Sequence, residues 1–281
     1  STPSNSSAAS DVYKRQIMNS GIYMALHCLI LAGSNVLVAL LGCRRIRQPL
    51  GGLFRTTDFS GWKAFQYICI GIGLQYVAVL IYAVLKYVGQ GLGMEFPEVS
   101  FDYFQTGQST MLVLLYTCIL APITEELLFR GFLLKSLSVV NTRFGVIVTA
   151  LLFGLMHGNV QQGILGVLVG LFLGKIVVRH NSLTPSILVH IALNTSSTLI
   201  SVLLALLPEN IGNVAILPLE FVVLAMAVMG VAFWFGKERK EPLPYPTQKQ
   251  ATRNRVFWSS PLLLLAFAAL LGLMVYHAMA V

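Results

Sequence analysis

The chain is poor in charge. Only 11% of its 281 residues are Asp, Glu, Lys or Arg, whereas about a quarter are charged in an ordinary globular protein. The hydrophobic share is 56% and the mean hydropathy is +0.75, which is more apolar surface than one water-soluble core could bury. This composition excludes an intrinsically disordered chain and a collagen-like chain. It predicts an all-α protein, a polytopic membrane helix bundle.

Cysteine is scarce as well, and its four copies are not paired in the sequence. Cys28, Cys43, Cys69 and Cys118 lie in or at the ends of apolar runs, and no two of them have CxxC spacing. A disulfide-stapled secreted module and a zinc ribbon are therefore excluded. We interpret the four as small hydrophobic core residues.

The apolar runs indicate the domain organisation. Residues 1–16 are rich in Ser, Asn and Ala, and we expect a disordered tail or a cloning scar there. Residues 17–281 would form a single transmembrane domain, in which each helix needs about 20 residues to cross the bilayer. About eight runs approach that length: Ile17–Cys43, Trp62–Val88, Gln108–Leu134, Phe144–Met156, Gly163–Val178, Pro185–Leu207, Gly212–Phe235 and Phe257–Met279. We predict that the fourth and fifth are short helices beside an internal cavity.

The basic residues are distributed unevenly between the loops. With eight spans, fifteen of the nineteen Lys and Arg residues lie on one side of the membrane. Loops 44–63 and 236–256 are the most basic, whereas loop 89–107 contains acids and no base. The basic side is predicted to be cytoplasmic, with both termini opposite. The formal net charge of +8 then faces anionic lipid, and we expect no nucleic-acid partner.

Ionisable residues within the spans are few, and each costs about 3 kcal/mol or more in hydrocarbon. The third span contains Glu125, Glu126 and Arg130. Glu126 and Arg130 are four residues apart, so they share a helix face and can neutralise each other. Glu125 is rotated from Glu126 by about 100°, which leaves it able to face a different neighbour.

Two further spans add polar groups at the same four-residue spacing. Phe153 and His157 end the fourth span, and His190 and Asn194 lie in the sixth, so each pair shares a face. Counted at about 1.5 Å per residue from the cytoplasmic ends, Glu125 and Asn194 lie about 15 and 14 Å deep. His157 and His190 lie about 21 and 8 Å deep. We expect these groups to converge in the cytoplasmic half of the bilayer.

A carboxylate beside two imidazoles and an amide is suited to hydrolysis of an acyl bond. The carboxylate of Glu125 can take a proton from water, a histidine can orient that water or bind a metal ion, and an Asn–His pair can stabilise an oxyanion. No Ser or Cys stands beside these histidines in a nucleophile motif. Direct attack by water is therefore the simpler mechanism.

The same polar residues also suit roles outside catalysis. The Glu126–Arg130 pair suits a structural ion pair equally well, and His190 and Asn194 could simply hydrogen-bond between helices. A transporter or channel would keep a similar set, although it would usually show paired repeats with broken helices in both halves. A catalytically silent scaffold or regulator is the other alternative. Three outlying residues are interpreted as packing or interfacial: His27, Glu220 and His277.

Three motifs occur in order on successive predicted helices: Glu125-Glu126-x-x-x-Arg130, Phe153-x-x-x-His157 and His190-x-x-x-Asn194. Together they resemble the family of CAAX proteases and bacteriocin-processing enzymes (CPBP), also called Abi or type II CAAX prenyl endopeptidase-like. Members are intramembrane proteases. The resemblance covers about residues 108–207, which we take as the catalytic core. It implies a multi-pass membrane peptidase, in the plasma membrane if bacterial, that acts on a peptide or a prenylated protein.

The resemblance also implies roles for the motif residues. Glu125 would be the general base, assisted by His157, and His190 with Asn194 would stabilise the oxyanion. Alternatively, Glu125, His157 and His190 would bind Zn²⁺; a metal-free glutamate mechanism fits equally well. Three residues would support this set: Glu126, Arg130 and Phe153.

Overall fold

The computed structural model describes residues 21–56, 58–93, 107–139, 141–240, 268–269 and 271–272. These residues form helices and no strand. We label the helices α1 (Gly21–Arg45), α2 (Gly61–Gly91), α3 (residues 107–138), α4 (Thr142–Leu155), α5 (Val160–His180), α6 (Thr184–Leu206), α7 (Glu209–Ala215) and α8 (Leu217–Phe233). A 3₁₀ turn, Leu50–Phe54, precedes α2, and a π-helical segment, Trp234–Glu238, follows α8.

Within the described ranges, six helices are long and apolar enough to cross a membrane. They are α1, α2, α3, α5, α6 and α8, and α4 is a shorter apolar helix. The prediction of a polytopic membrane helix bundle is therefore confirmed. The tail at residues 1–16, His277 and all but four residues of the eighth predicted span lie outside the described residues, so the count of eight stays a prediction.

Two predicted spans differ from the observed helices. The fifth was expected to be short, but α5 has 21 residues. It begins at Val160 because the Asn159 side chain accepts a hydrogen bond from the Gln162 backbone N–H at 2.8 Å, which caps the helix. The predicted run Gly212–Phe235 is divided at Ile216 into α7 and α8.

Helix α3 alternates between α and π geometry. Its α-helical parts are Gly107–Leu115, Ala121–Glu126 and Lys135–Ser138, and the π-helical parts between them are Tyr116–Leu120 and Leu127–Leu134. Both glutamates of the first motif thus lie in a short α-helical stretch between two π segments. Such π segments are frequent at functional sites.

Proline accounts for an unpaired carbonyl in the first π segment. The Ala121 N–H donates to the Tyr116 carbonyl, five residues back. The same pattern would pair the Thr117 carbonyl with the N–H of residue 122, but that residue is Pro122 and has none. The Thr117 carbonyl is therefore left for a side chain from another helix.

Glycines bring α4 and α5 into backbone contact. A Cβ added at Gly166 would lie 2.8 Å from the Gly154 Cα and 3.3 Å from His157 Nδ1. One added at Gly170 would lie 3.1 Å from the Ala150 Cα. The small residues of α5 thus allow close helix packing, and they place the end of α4 beside the α5 backbone.

Basic residues of α2 and α5 meet an acid of the segment after α8 at one end of the bundle. Lys63 at the start of α2 contacts Glu238 Oε2 at 2.9 Å, and Lys175 in α5 contacts Glu238 Oε1 at 3.3 Å. Arg179 at the end of α5 also pairs with Glu238. We call these four residues the end cluster. They share one end of the bundle as the charge distribution predicts, and the assignment of that end to the cytoplasm stays a prediction.

Candidate active site

The first motif forms an ion pair inside the bundle. Arg130 Nη1 donates to Glu126 Oε1 at 2.6 Å, and neither side chain has any exposed surface. Arg130 Nη2 donates to the Gly170 carbonyl of α5 at 3.2 Å, and its guanidinium lies 4.5 Å from the centre of the Phe153 ring. The predicted pair is thus confirmed, and the arginine also connects α3 with α4 and α5.

His190 reaches from α6 to both glutamates of α3. Its Nδ1 lies 3.2 Å from Glu126 Oε1, and its Nε2 lies 3.7 Å from Glu125 Oε2. His190 is 4% exposed and Glu125 8%. Both carboxylates therefore share one imidazole: Glu125 does not pair with Arg130, but it meets the same histidine as Glu126 and not a different neighbour.

Phe153 of α4 contacts both histidines of the motifs. Its ring centre lies 5.1 Å from that of His157 and 5.6 Å from that of His190, edge to face in both cases. His157 Nδ1 lies 2.7 Å from the Phe153 carbonyl. A carbonyl can only accept, so Nδ1–H is the donor and the neutral ring has its lone pair on Nε2. The predicted packing of Phe153 beside His157 is confirmed.

Asn194 binds α3 through the backbone. Its Nδ2 donates to the Thr117 carbonyl at 3.0 Å, which is the carbonyl that Pro122 leaves without a helical partner. An amide nitrogen has two N–H groups, so this bond orients the side chain and leaves the second N–H to donate elsewhere.

The structure therefore joins most of the predicted residues through direct contacts. Glu125, Glu126, Arg130 and His190 form one polar cluster, which we call the mid-bundle cluster. His157 is connected to it through Phe153, and Asn194 binds the same helix α3 closer to its beginning. Sequence reasoning missed the carbonyls of Thr117 and Gly170 and the contact between Glu126 and His190. Of these, only the Thr117 carbonyl has a sequence signal, a proline inside a span.

The proposed metal ligands do not form a metal site in the described part of the chain. No group of three His, Cys, Asp or Glu side chains lies close enough there to hold one ion. Glu125 and His190 are near each other, whereas His157 is connected to them through Phe153. The donation of His157 Nδ1–H to the Phe153 carbonyl leaves the lone pair on Nε2, as in many metal-binding histidines, so the Zn²⁺ alternative stays a prediction.

Comparison with known proteins gives one match. Residues 107–196 match the family model described as type II CAAX prenyl endopeptidase Rce1-like. No curated protein and no solved structure matches the chain. The matched residues contain all three motifs and run from the start of α3 to α6. Within this multi-pass membrane protein, residues 107–196 are thus similar to the type II CAAX prenyl endopeptidase Rce1-like family.

Proposed function

We propose that this protein is an intramembrane endopeptidase in which Glu125 activates the attacking water. One observation carries the proposal: Glu125 lies in a buried cluster, 3.7 Å from an imidazole nitrogen of His190, while the arginine of the same motif pairs with Glu126. Glu125 is thus the carboxylate of the pair that is available to act as a base. Buried acids in membrane helices are expensive and are functional by default.

The surrounding groups suit the other steps of hydrolysis. When Glu125 removes a proton from water, the water oxygen attacks the scissile carbonyl, whose oxygen becomes an oxyanion. The second N–H of Asn194 can donate to that oxyanion, together with His190. His157 Nε2 can accept from the same water and assist its orientation. Every step uses groups of the chain, and none is routed through a metal ion.

The matched family and the position of the site support a proposal for the substrate class. The family acts on prenylated proteins by its description, and six apolar helices place the cluster among membrane spans. A peptide with a C-terminal prenyl-cysteine could enter from the lipid, because its hydrocarbon chain is stable there and anchors the scissile bond near the bilayer. We therefore propose a prenylated C-terminal peptide as substrate.

The test is hydrolysis of a quenched peptide with a farnesylated C-terminus by purified wild type and Glu125→Gln in detergent. General-base catalysis is worth about 10²–10⁴-fold, so kcat should fall by that factor. Glu220→Gln is the matched control, because Glu220 is another glutamate in a span and is only half-buried. Each protein is assayed with and without a strong chelator, and we expect the chelator to have no effect.

Three results would contradict the proposal. Hydrolysis by Glu125→Gln at the wild-type rate would show that Glu125 is not the base. A wild-type protein that is folded but cleaves neither the farnesylated peptide nor its unmodified form would favour the scaffold. Loss of hydrolysis in chelator, restored by zinc, would replace the metal-free mechanism with a metal-dependent one.

A further inference from the structure

One oxygen of the second glutamate contacts both a cation and an imidazole, and only the cation was expected. Glu126 Oε1 accepts from Arg130 at 2.6 Å and lies 3.2 Å from His190 Nδ1. The contact with His190 joins α3 to α6, over 64 residues of chain. Glu126 therefore lies between a cation that it neutralises and an imidazole that it can orient.

The chemistry of these contacts fixes the histidine tautomer. A guanidinium can only donate, so Glu126 Oε1 is the acceptor, and the positive charge of Arg130 at 2.6 Å favours the ionised carboxylate. His190 Nδ1 must then carry a proton, because two facing acceptors would repel at 3.2 Å. A neutral imidazole carries one N–H, and its lone pair is therefore on Nε2, the atom that faces Glu125 at 3.7 Å.

We propose that Glu126 is a positioning residue that holds His190 with Nδ1 protonated and turns Nε2 toward Glu125. This inference rests on the proposed function and deepens it. An acid that orients a catalytic imidazole through Nδ1–H and stabilises its protonated form is the arrangement found in serine-protease triads. Here Arg130 keeps that acid ionised within a buried site.

The arrangement gives His190 a defined step in hydrolysis. Glu125 takes a proton from water as the water oxygen bonds to the carbonyl carbon and the carbonyl π pair moves to its oxygen. The proton on Glu125 then passes to His190 Nε2, and Glu125 is again a carboxylate. The imidazolium donates through Nε2–H toward the oxyanion, and finally gives this proton to the leaving nitrogen as the C–N bond breaks and the carbonyl re-forms.

A purely structural role for Glu126 predicts a different outcome in a paired substitution. If Glu126 serves only to neutralise Arg130, replacing both by methionine removes the need for either charge. Replacing a complete buried ion pair by apolar residues of similar volume is often neutral for stability. The double variant E126M/R130M would then fold and hydrolyse peptide at about the wild-type rate.

The test compares the double variant with His190→Ala and with the triple variant that carries both changes. We expect the double variant to keep its thermal midpoint and to lose kcat by about 10²-fold, as His190→Ala does, with KM changed by less than about threefold. The triple variant should be no slower than the double, since groups that act as a unit are not additive. Glu220→Gln is the unaffected control.

The outcomes separate this inference from the proposed function. A folded double variant at the wild-type rate, while Glu125→Gln and His190→Ala are slow, overturns the role of Glu126 and leaves the peptidase intact. The role of Glu126 is also overturned if the kcat losses of the double variant and of His190→Ala multiply in the triple variant. If neither Glu125→Gln nor His190→Ala is slow, the proposed function itself fails.

A spectroscopic measurement keeps the inference testable if the double variant does not fold. The protein labelled with ¹⁵N-histidine gives ring nitrogen signals, and the spectrum of His190→Ala identifies those of His190 by difference. We expect a protonated Nδ1 in wild type and in Glu220→Gln. An unprotonated Nδ1 on His190 in the wild type overturns the proposal.

Discussion

The two glutamate clusters of this bundle differ in what they hold together. In the mid-bundle cluster, Glu126 pairs with one arginine of its own helix, at 2.6 Å and with no exposed surface on either side chain. In the end cluster, Glu238 contacts cations from α2 and α5, whose side chains are 12–20% exposed. The first pair needs little help from folding to meet, whereas the second connects three separate parts of the chain.

This difference indicates different functions for similar chemistry. Glu126 and Arg130 are already neighbours on one helix, so the ion pair itself needs no tertiary contact, although both side chains also reach other helices. The pair holds an ionised carboxylate in a fixed position beside His190. The end cluster contains no group near the proposed base and joins the beginning of α2, the end of α5 and the segment after α8. We therefore expect the mid-bundle cluster to affect both hydrolysis and stability, and the end cluster to affect stability alone.

Removing one charge from the mid-bundle cluster should have the largest effect on the stability of the protein. Arg130→Met leaves Glu126 as an unpaired buried anion, and breaking a buried pair costs about 3–5 kcal/mol. We expect a large fall in the thermal midpoint of the protein in detergent, whereas E126M/R130M, the control, stays near wild type. A single variant as stable as the double would show that this pair is not buried from water in the protein.

The end cluster should contribute to stability without affecting hydrolysis. Burial acts to raise the pKa of Glu238, but the hydrogen bond from Lys63 and the charges of Arg179 and Lys175 outweigh it, so the pKa is lowered. Charged hydrogen bonds at a partly exposed site suggest that Glu238→Gln costs about 1–2 kcal/mol at neutral pH. We expect a lower thermal midpoint with an unchanged kcat.

The pH dependence of this loss has a definite sign. A carboxylate whose pKa is lowered by folding stabilises the protein fully above the unfolded pKa, and this contribution is lost as the pH falls through the folded pKa. The difference in thermal midpoint between wild type and Glu238→Gln should therefore shrink from about pH 7 to below about pH 4. Glu220→Gln serves as the control for detergent and pH. A difference that grows in acid would contradict the assigned sign.

Replacing the proline in α3 should have a smaller effect, which is a loss of hydrolysis without a loss of stability. Pro122→Ala supplies an N–H that can pair with the Thr117 carbonyl, which then competes with Asn194 for that acceptor. Loosening one oxyanion donor should lower kcat by about tenfold, while stability stays or rises, since proline inside a helix is unfavourable. The measurement is kcat together with the thermal midpoint.

The matched control for that change is Pro218→Ala. Pro218 lies in the first turn of α8, where its missing N–H leaves no helical carbonyl unpaired. Pro218→Ala should change neither kcat nor the thermal midpoint. Equal kcat values for Pro122→Ala and wild type would show that the contact between Asn194 and Thr117 does not orient the amide.

Much of the architecture could be predicted from the sequence because it depends on local physics. Hydropathy and helix length identified the apolar helices, and the 3.6-residue period placed Glu126 and Arg130 on one face and separated Glu125 from them. The predicted length of α5 was wrong because a polar cap, Asn159, extends that helix beyond its apolar run. The division of α3 into α and π parts was not predicted either, although Pro122 is a visible cause of it.

The sequence by itself determined the membrane class, the basic face and the three motif pairs spaced by four residues. These follow from composition and from neighbours within one helix turn. Only the tertiary structure decided that His190 contacts both glutamates, that Arg130 reaches the Gly170 carbonyl and that Asn194 binds the Thr117 carbonyl. Those bonds join residues 40 to 77 positions apart. They exist because glycine contacts and backbone geometry bring separate helices together, which no local pattern encodes.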